Sequence, residues 1–408
     1  MIGSYRARRS KGSTPEVKQH RLINKLRTIN LLRFAILSLL LCGLGWQAGL
    51  VFAETFHAAS NTGHQSANSA RDGEHDFDFD IGVWHTHIRR VLDPFSSPSN
   101  SIELNGTVTV RKIWDGRAQL EEIEADGPNG HWEGMTLFLY NPQSHQWSMN
   151  FINSKIAALN APLIGSFKDG RGELFSQDTY HDKSILVRGV WSDIAPDSHR
   201  YQESYSNDGG KTWAVAFTGD LTREKQVATT AKMLRTSAAP ESSDANHIAA
   251  EQGQHDFDFD LGTWKTHSTR LLHPLTGSNT WVEMDGVSVV KKVWDGRANL
   301  AEYKADGPAG HLELMALRWF NPATHEWNID FATPNVGTLG AVPGVGEFKN
   351  GRADFYDYEP INGKSVLVRF SMWSITPDTA QSEQAFSEDG GKTWEANWIN
   401  KYTRIKDE

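Results

Sequence analysis

In each half of the chain a histidine and a glutamate stand two residues apart, His131 with Glu133 and His311 with Glu313. On an extended strand such positions fall on one face, and a His–Glu pair beside a substrate can act as acid and base. Arginines recur at matched positions in the two halves, Arg117 with Arg297 and Arg188 with Arg369, as do Glu122 and Glu302. A guanidinium close to such a pair can orient a carboxylate or carbonyl group. If these side chains point into a closed sheet they need a partner or a ligand, because burial without one is costly. Read so, His131, Glu133, Arg117, Arg188, His311, Glu313, Arg297 and Arg369 are the ligand-binding candidates. On outward positions the same residues are cross-strand partners or a satisfied polar network. No side chain declares itself as a nucleophile, and the catalytic assignment stays open.

Four histidine pairs match between the halves: His75/His255, His87/His267, His131/His311 and His145/His325. With Asp76, Asp78 and Asp80 they are the raw material of a zinc, manganese or iron site. The spacing argues against it. His85-Thr86-His87 becomes Lys265-Thr266-His267, so no chelating pair recurs, and no metal is expected.

These candidates sit in a duplicated chain of 408 residues. HDFDFDIGVW at His75 returns as HDFDFDLGTW at His255, and KIWDGRA at Lys112 returns as KVWDGRA at Lys292. ADGP-x-GH, NP-x-x-H-x-W and a [IV]-LVR segment also recur, at an offset that drifts from 180 to 181. Solenoid and propeller units repeat every ~20–50 residues, so a period this long means two tandem domains. The expected domains are residues 75–225 and 255–405, joined by a flexible linker at 226–254 that is rich in Ala, Ser, Thr and Glu.

Ahead of the first copy, residues 1–33 carry nine basic side chains and one acid, and an apolar run from Phe34 to Ala53 follows. A basic segment, an apolar stretch and a small-residue site read as an export signal, or, uncleaved, as an anchor. Residues 54–74 form a second linker. An exported protein, periplasmic or secreted, is expected, with membrane contact only through residues 34–53. Residues 1–53 carry a net charge of +8, leaving −17 on the remainder of a chain whose total is −9. That acidity argues against nucleic acid as a partner. Cys42 is the only cysteine and lies within the signal, which excludes disulfides and a cysteine nucleophile downstream.

Short runs of alternating or β-branched apolar residues, broken by turn signals, give both copies an all-β texture. In the first copy strands are expected at 106–114, 118–125, 131–140, 146–153, 172–177, 184–192, 200–206 and 212–222. Eight or more antiparallel strands in such a length suggest an up-and-down barrel or a sandwich.

SNDGGKTW at Ser206 returns as SEDGGKTW at Ser387. The octapeptide resembles the Asp box of sialidase-type propellers, but a propeller needs one per blade and each copy has one. It is expected to be a hairpin turn in which Asp208 and Asp389 accept backbone N–H bonds and Trp213 and Trp394 pack as the next strand begins.

The segment Phe77-Asp78-Phe79-Asp80-Ile81-Gly82-Val83-Trp84, with its repeat Phe257 to Trp264, resembles the G-x-W entry of calycin β-barrels, the group of lipocalins and nitrobindin. The order F-D-F-x-x-G-x-W, N-P-x-x-x-x-W, S-x-D-G-G-K-T-W is similar to that of bacterial uncharacterised calycin-like domains, over most of both copies. This implies two tandem up-and-down antiparallel barrels with an internal cavity. Gly82 and Gly262 would turn the chain into the first strand, and Trp84 and Trp264 would plug the closed end. Nitrobindin binds haem through a histidine late in the domain; here His181 and His199 have no counterparts in the second copy, and no cofactor is expected. The functional expectation is a protein holding a small apolar or amphipathic molecule in its barrels. A small-molecule enzyme using the His/Glu pairs and a cell-surface interaction protein are the alternatives.

Overall fold

A computed structural model describes residues 72–224, 253–340 and 342–406. The signal or anchor segment at 1–53 lies outside the described residues, as does most of the linkers at 54–74 and 226–254. Among the described residues no helix is long and apolar enough to cross a membrane.

Each copy is a closed ten-stranded antiparallel barrel in which sequence neighbours pair all the way round. In the first, β1 (Gly82–Asp93) and β2 (Ser97–Ile113) lead into β3 (Ala118–Gly127), β4 (Gly130–Asn141) and β5 (Gln146–Asn153). The circuit continues through β6 (Leu163–Lys168), β7 (Arg171–Tyr180), β8 (Lys183–Ala195) and β9 (Ser198–Ser206) to β10 (Ala214–Arg223), which pairs with β1. The second copy repeats this order. Its strands are β11 (Gly262–Leu271), β12 (Trp281–Val293), β13 (Ala298–Gly307), β14 (Gly310–Asn321) and β15 (Glu326–Ala332). They are followed by β16 (Gly344–Lys349), β17 (Arg352–Ile361), β18 (Lys364–Trp373), β19 (Thr379–Ser387) and β20 (Glu395–Arg404). Two strands lack a range in the sequence expectation: β1, foreseen only as the strand that Gly82 turns into, and six-residue β6, too short to show alternation beside its Asp169-Gly170 turn.

One end of each barrel is packed solid. The short turn Asp78–Asp80 drops Phe77 into the first barrel, where its ring lies 4.6 Å from Phe138, 4.8 Å from Phe167 and 4.9 Å from Trp191. Phe257 does the same against Trp327 and Phe348, both at 4.9 Å. Trp84 and Trp264 are fully buried, and each donates its indole N–H to the carbonyl of Asp80 or Asp260 at 2.7 Å. An arginine from the last strand closes each plug. Arg223 stacks 3.9 Å from the Trp84 ring and donates to the carbonyls of Ile81, Phe79 and Pro196 at 2.7–2.8 Å. Arg404 stacks 4.0 Å from Trp264 and reaches Leu261, Phe259 and Pro377 in the same way. This explains the glycines beyond their positive φ: a Cβ on Gly82 would meet the Arg223 guanidinium at 2.5 Å.

The Asp box is the β9–β10 hairpin. Asp208 accepts the backbone N–H groups of Lys211 and Thr212, both at 3.0 Å, and Asp389 does so from Lys392 and Thr393. These donors hold both carboxyls below their ordinary range. Gly209 and Gly210 take the left-handed φ.

Candidate functional site

Strand parity sorts the candidates. On β4, Thr136 and Phe138 face the barrel interior with Trp132, while His131, Glu133, Met135 and Leu137 face outward. The corresponding positions of β14 divide in the same way. His131, Glu133, His311 and Glu313 are therefore on the outer wall.

That outer wall is where the two copies meet. Leu120, Met135 and Leu137 from one barrel and Leu300, Met315 and Leu317 from the other belong to one buried cluster. Each fully buried aliphatic side chain contributes about 1.5–3 kcal/mol, so the seam is a true core. Several of its polar contacts come in symmetry-related pairs, as in the self-complementary interface of a twofold dimer. Arg117 pairs with Glu313, and Arg297 with Glu133. The Trp114 N–H donates to Glu302 at 3.1 Å, and the Trp294 N–H to Glu122 at 2.5 Å. Glu133 also holds His131 at 2.9 Å, while His311 lies 3.9 Å from Glu313. The Arg, His and Glu of the sequence reading thus come together, but each arginine is supplied by the opposite copy. In the motif W-D-G-R-A, Trp114 and Trp294 adopt left-handed φ values of 53° and 52°, a conformation unusual for a bulky side chain. The cross-barrel carboxylates hold it in place.

The two seam clusters are not identical. Lys304, whose counterpart is Glu124, bridges Asp115 and Glu313 on one side only. Its hydrogen bond holds the Asp115 carboxyl below its ordinary value.

Arg188 and Arg369 also face outward. Each lies flat over the Asp-box tryptophan, 4.5 Å from the Trp213 or Trp394 ring. Arg369 further donates to Glu383 at 3.0 Å.

The inward-facing polar groups are different residues. In the first barrel His199 meets Asp80 at 3.1 Å, and Thr136 donates to Glu121 at 2.7 Å. Burial, with the Asp80 charge behind it, pushes Glu121 up to about 8. Towards the Asp-box end, Tyr205 and Tyr201 donate to Glu203 at 2.9 and 3.3 Å. Burial raises the Glu203 carboxyl and both phenols. In the second barrel Arg318 meets Asp260 at 2.5 Å, and Ser268, Tyr303, Asn400, Ser382 and Tyr402 form a hydrogen-bonded chain across the lumen at 2.6–3.0 Å.

The ends opposite the Trp84 and Trp264 plugs are open. Trp132, Phe151, Tyr201, Glu203, Tyr205 and Phe217 all point inward, yet all are partly exposed, so solvent enters this end of the first barrel. Arg270, Leu312, Phe331, Asp357, Gln384 and Trp398 hold the same place in the second. The indole N–H groups of Trp132 and Trp398 and one Asp357 oxygen are buried without a hydrogen-bond partner. Among the described residues no group of three or more His, Cys, Asp or Glu side chains is arranged to hold a metal ion.

No family model matches the chain, and no curated protein matches it. Solved structures do. An S-type phycobiliprotein lyase from Guillardia theta is similar at 10% identity and a TM-score of 0.29, over 40% of this chain and 99% of that one. A protein of unknown function from Nostoc punctiforme, in the DUF3598 family, is similar at 10% identity and a TM-score of 0.23, over 82% of this chain and 99% of that one. A de novo designed fluorescence-activating β-barrel matches at 13% identity and a TM-score of 0.21, over 36% and 95%. The chemistry of the mouths therefore rests on their own side chains.

Those side chains escaped the sequence reading because Tyr201, Glu203 and Gln384 are not shared between the copies, whereas shared residues drew attention. What the copies share turned out to mark the seam and the plugs. A reading aimed at inward positions that differ between copies would have found the mouths.

Proposed function

We propose that each barrel receives a small amphipathic molecule through its open end, within an exported protein. The observation that carries this is the contrast between the two ends: inward side chains are fully buried around Phe77 and Trp84 but partly exposed around Trp132 and Tyr201. A lumen closed below and open above, apolar with a few convergent polar groups, is the ordinary form of a small-molecule site. In the first barrel Ile88, Leu104 and Phe217 make the apolar wall and Tyr201, Glu203 and Tyr205 the polar one.

The test is titration of the purified chain with Nile red, a neutral lipophilic dye, alongside native mass spectrometry for a co-purifying ligand. Binding that weakens about tenfold in Trp132→Ala, the loss of roughly 1.4 kcal/mol of contact, supports the reading. A chain that neither binds the dye nor carries a ligand refutes it.

A further inference from the structure

The two mouths place their carboxylates differently. In the first barrel Arg90, Phe217 and Glu203 occupy one row across three neighbouring strands, since Arg90 pairs with Phe217 and Phe217 with Glu203. Glu203 lies within electrostatic reach of Arg90, which draws its carboxyl downward against the effect of burial. The second barrel keeps the row and changes its chemistry: Arg270 pairs with Trp398, and Trp398 with Gln384. The carboxylate is gone from the row, and Asp357, at the position of Ser176, adds one elsewhere in the lumen. Among the described residues no carboxylate pairs with Arg270, whose guanidinium lies 5.4 Å from the Trp398 ring centroid in a partly buried position.

The surroundings of Arg270 are a binding wall in the making. Tyr303, 5.9 Å from Trp398, is fixed by Ser268 at 2.7 Å, and the Ser268–Asn400–Ser382 chain forms a polar floor beneath. Met284, Leu314, Leu312 and Phe331 supply apolar surface beside it. At the positions of Ser268, Tyr303 and Asn400 the first barrel has Ile88, Ile123 and Gly219, and at that of Ser382 it has Tyr201. Asp357 and Glu359 face the same lumen from β17, four strands round the barrel. Burial pushes both carboxyls up, Asp357 to about 7, which limits their repulsion of an anion at neutral pH and below.

We propose that the second barrel, but not the first, selects an amphipathic molecule with a carboxylate headgroup, which takes the place that Glu203 holds in the first barrel and pairs with Arg270. A desolvated guanidinium without a counterion is costly, and a ligand carboxylate relieves that cost through a bidentate, charge-assisted contact. Gln384 adds an amide donor at the end of the row, and the ligand's tail lies along Phe331 and Leu314. The inference rests on the reading of the barrel mouths as ligand chambers.

The test uses three probes with one tail, decanoate, decanol and decylamine, titrated into the purified chain by calorimetry at pH 6.5. The expected result is one decanoate site at least ~10-fold tighter than decanol, the worth of a charge-assisted pair, with decylamine weakest there. Arg270→Gln should abolish that preference while decanol binding survives. Gln384→Glu, which places a carboxylate where the first barrel has Glu203, should abolish it as well, and it serves as the second variant if Arg270→Gln misfolds. Decanoate and decanol binding alike to the wild type, with neither variant changing the ratio, would overturn the carboxylate assignment and leave the chamber standing. Failure of all three probes to bind would remove the chamber reading and this inference together.

Discussion

Glu121 and Ala301 occupy equivalent inward positions, and that difference sets the two barrels apart in their response to pH. Around Glu121 lie Asp80, His199, Thr136 and Gln119, all buried, whereas in the second barrel Arg318 meets Asp260 directly. Burial raises Glu121 from 4.5 to about 8, so its folded value lies above its unfolded one. The stability it contributes is fully present below about pH 4.5 and is lost as the pH rises through about 8. Glu121→Gln keeps the Thr136 hydrogen bond and removes the charge. Chemical denaturation of this variant should show a flatter profile between pH 5 and 9 and a gain of several kcal/mol at pH 8.5. A wild-type profile already flat across that window would contradict the assignment. The seam residues belong to this scale too. His131, Glu133, Arg117 and their repeats were legible as chemistry, but the direction in which they point was not. A strand has two faces, and which one looks inward depends on how the sheet closes.

At the scale of single elements, the plug and the Asp box behave as separate units. Arg223 joins the end of β10 to the turn before β1 through the Phe79 and Ile81 carbonyls and the Trp84 ring, and to the β8–β9 turn through the Pro196 carbonyl. Arg223→Ala should lower unfolding free energy by roughly 3 kcal/mol, and Arg404→Ala should act likewise on the second barrel. Lys at either position would recover little, because an ammonium lacks the planar fork that reaches three acceptors. Asp208→Ala should loosen the β9–β10 hairpin, read as faster amide exchange at Lys211 and Thr212 with the β1–β10 amides unaffected. The hairpin was readable because its composition fixes its dihedrals locally. The plug arginine was not, since 139 residues separate Trp84 from its stacking partner and only closure of the barrel brings them together.

For the whole molecule, the seam makes two barrels one folding unit. Leu137 and Leu317 are fully buried in a cluster drawn from both copies. Charging both, with Leu137→Glu and Leu317→Glu together, should split a single calorimetric transition into two and raise the radius of gyration in solution scattering. Each barrel's own circular dichroism should persist. Unfolding that remains a single transition in the double variant would show that the barrels are coupled by something other than this seam. The sequence by itself determined that there are two copies, that each is an antiparallel β-structure, and where its hairpins and plug tryptophans lie, because repeats, alternation and turn composition are local. Tertiary structure decided that shared polar residues stitch barrel to barrel and that unshared ones, beside the shared Arg90 and Arg270, line the mouths. Sheet closure assigns each strand's faces, and docking of the copies assigns each outer wall, and neither is encoded in any one segment.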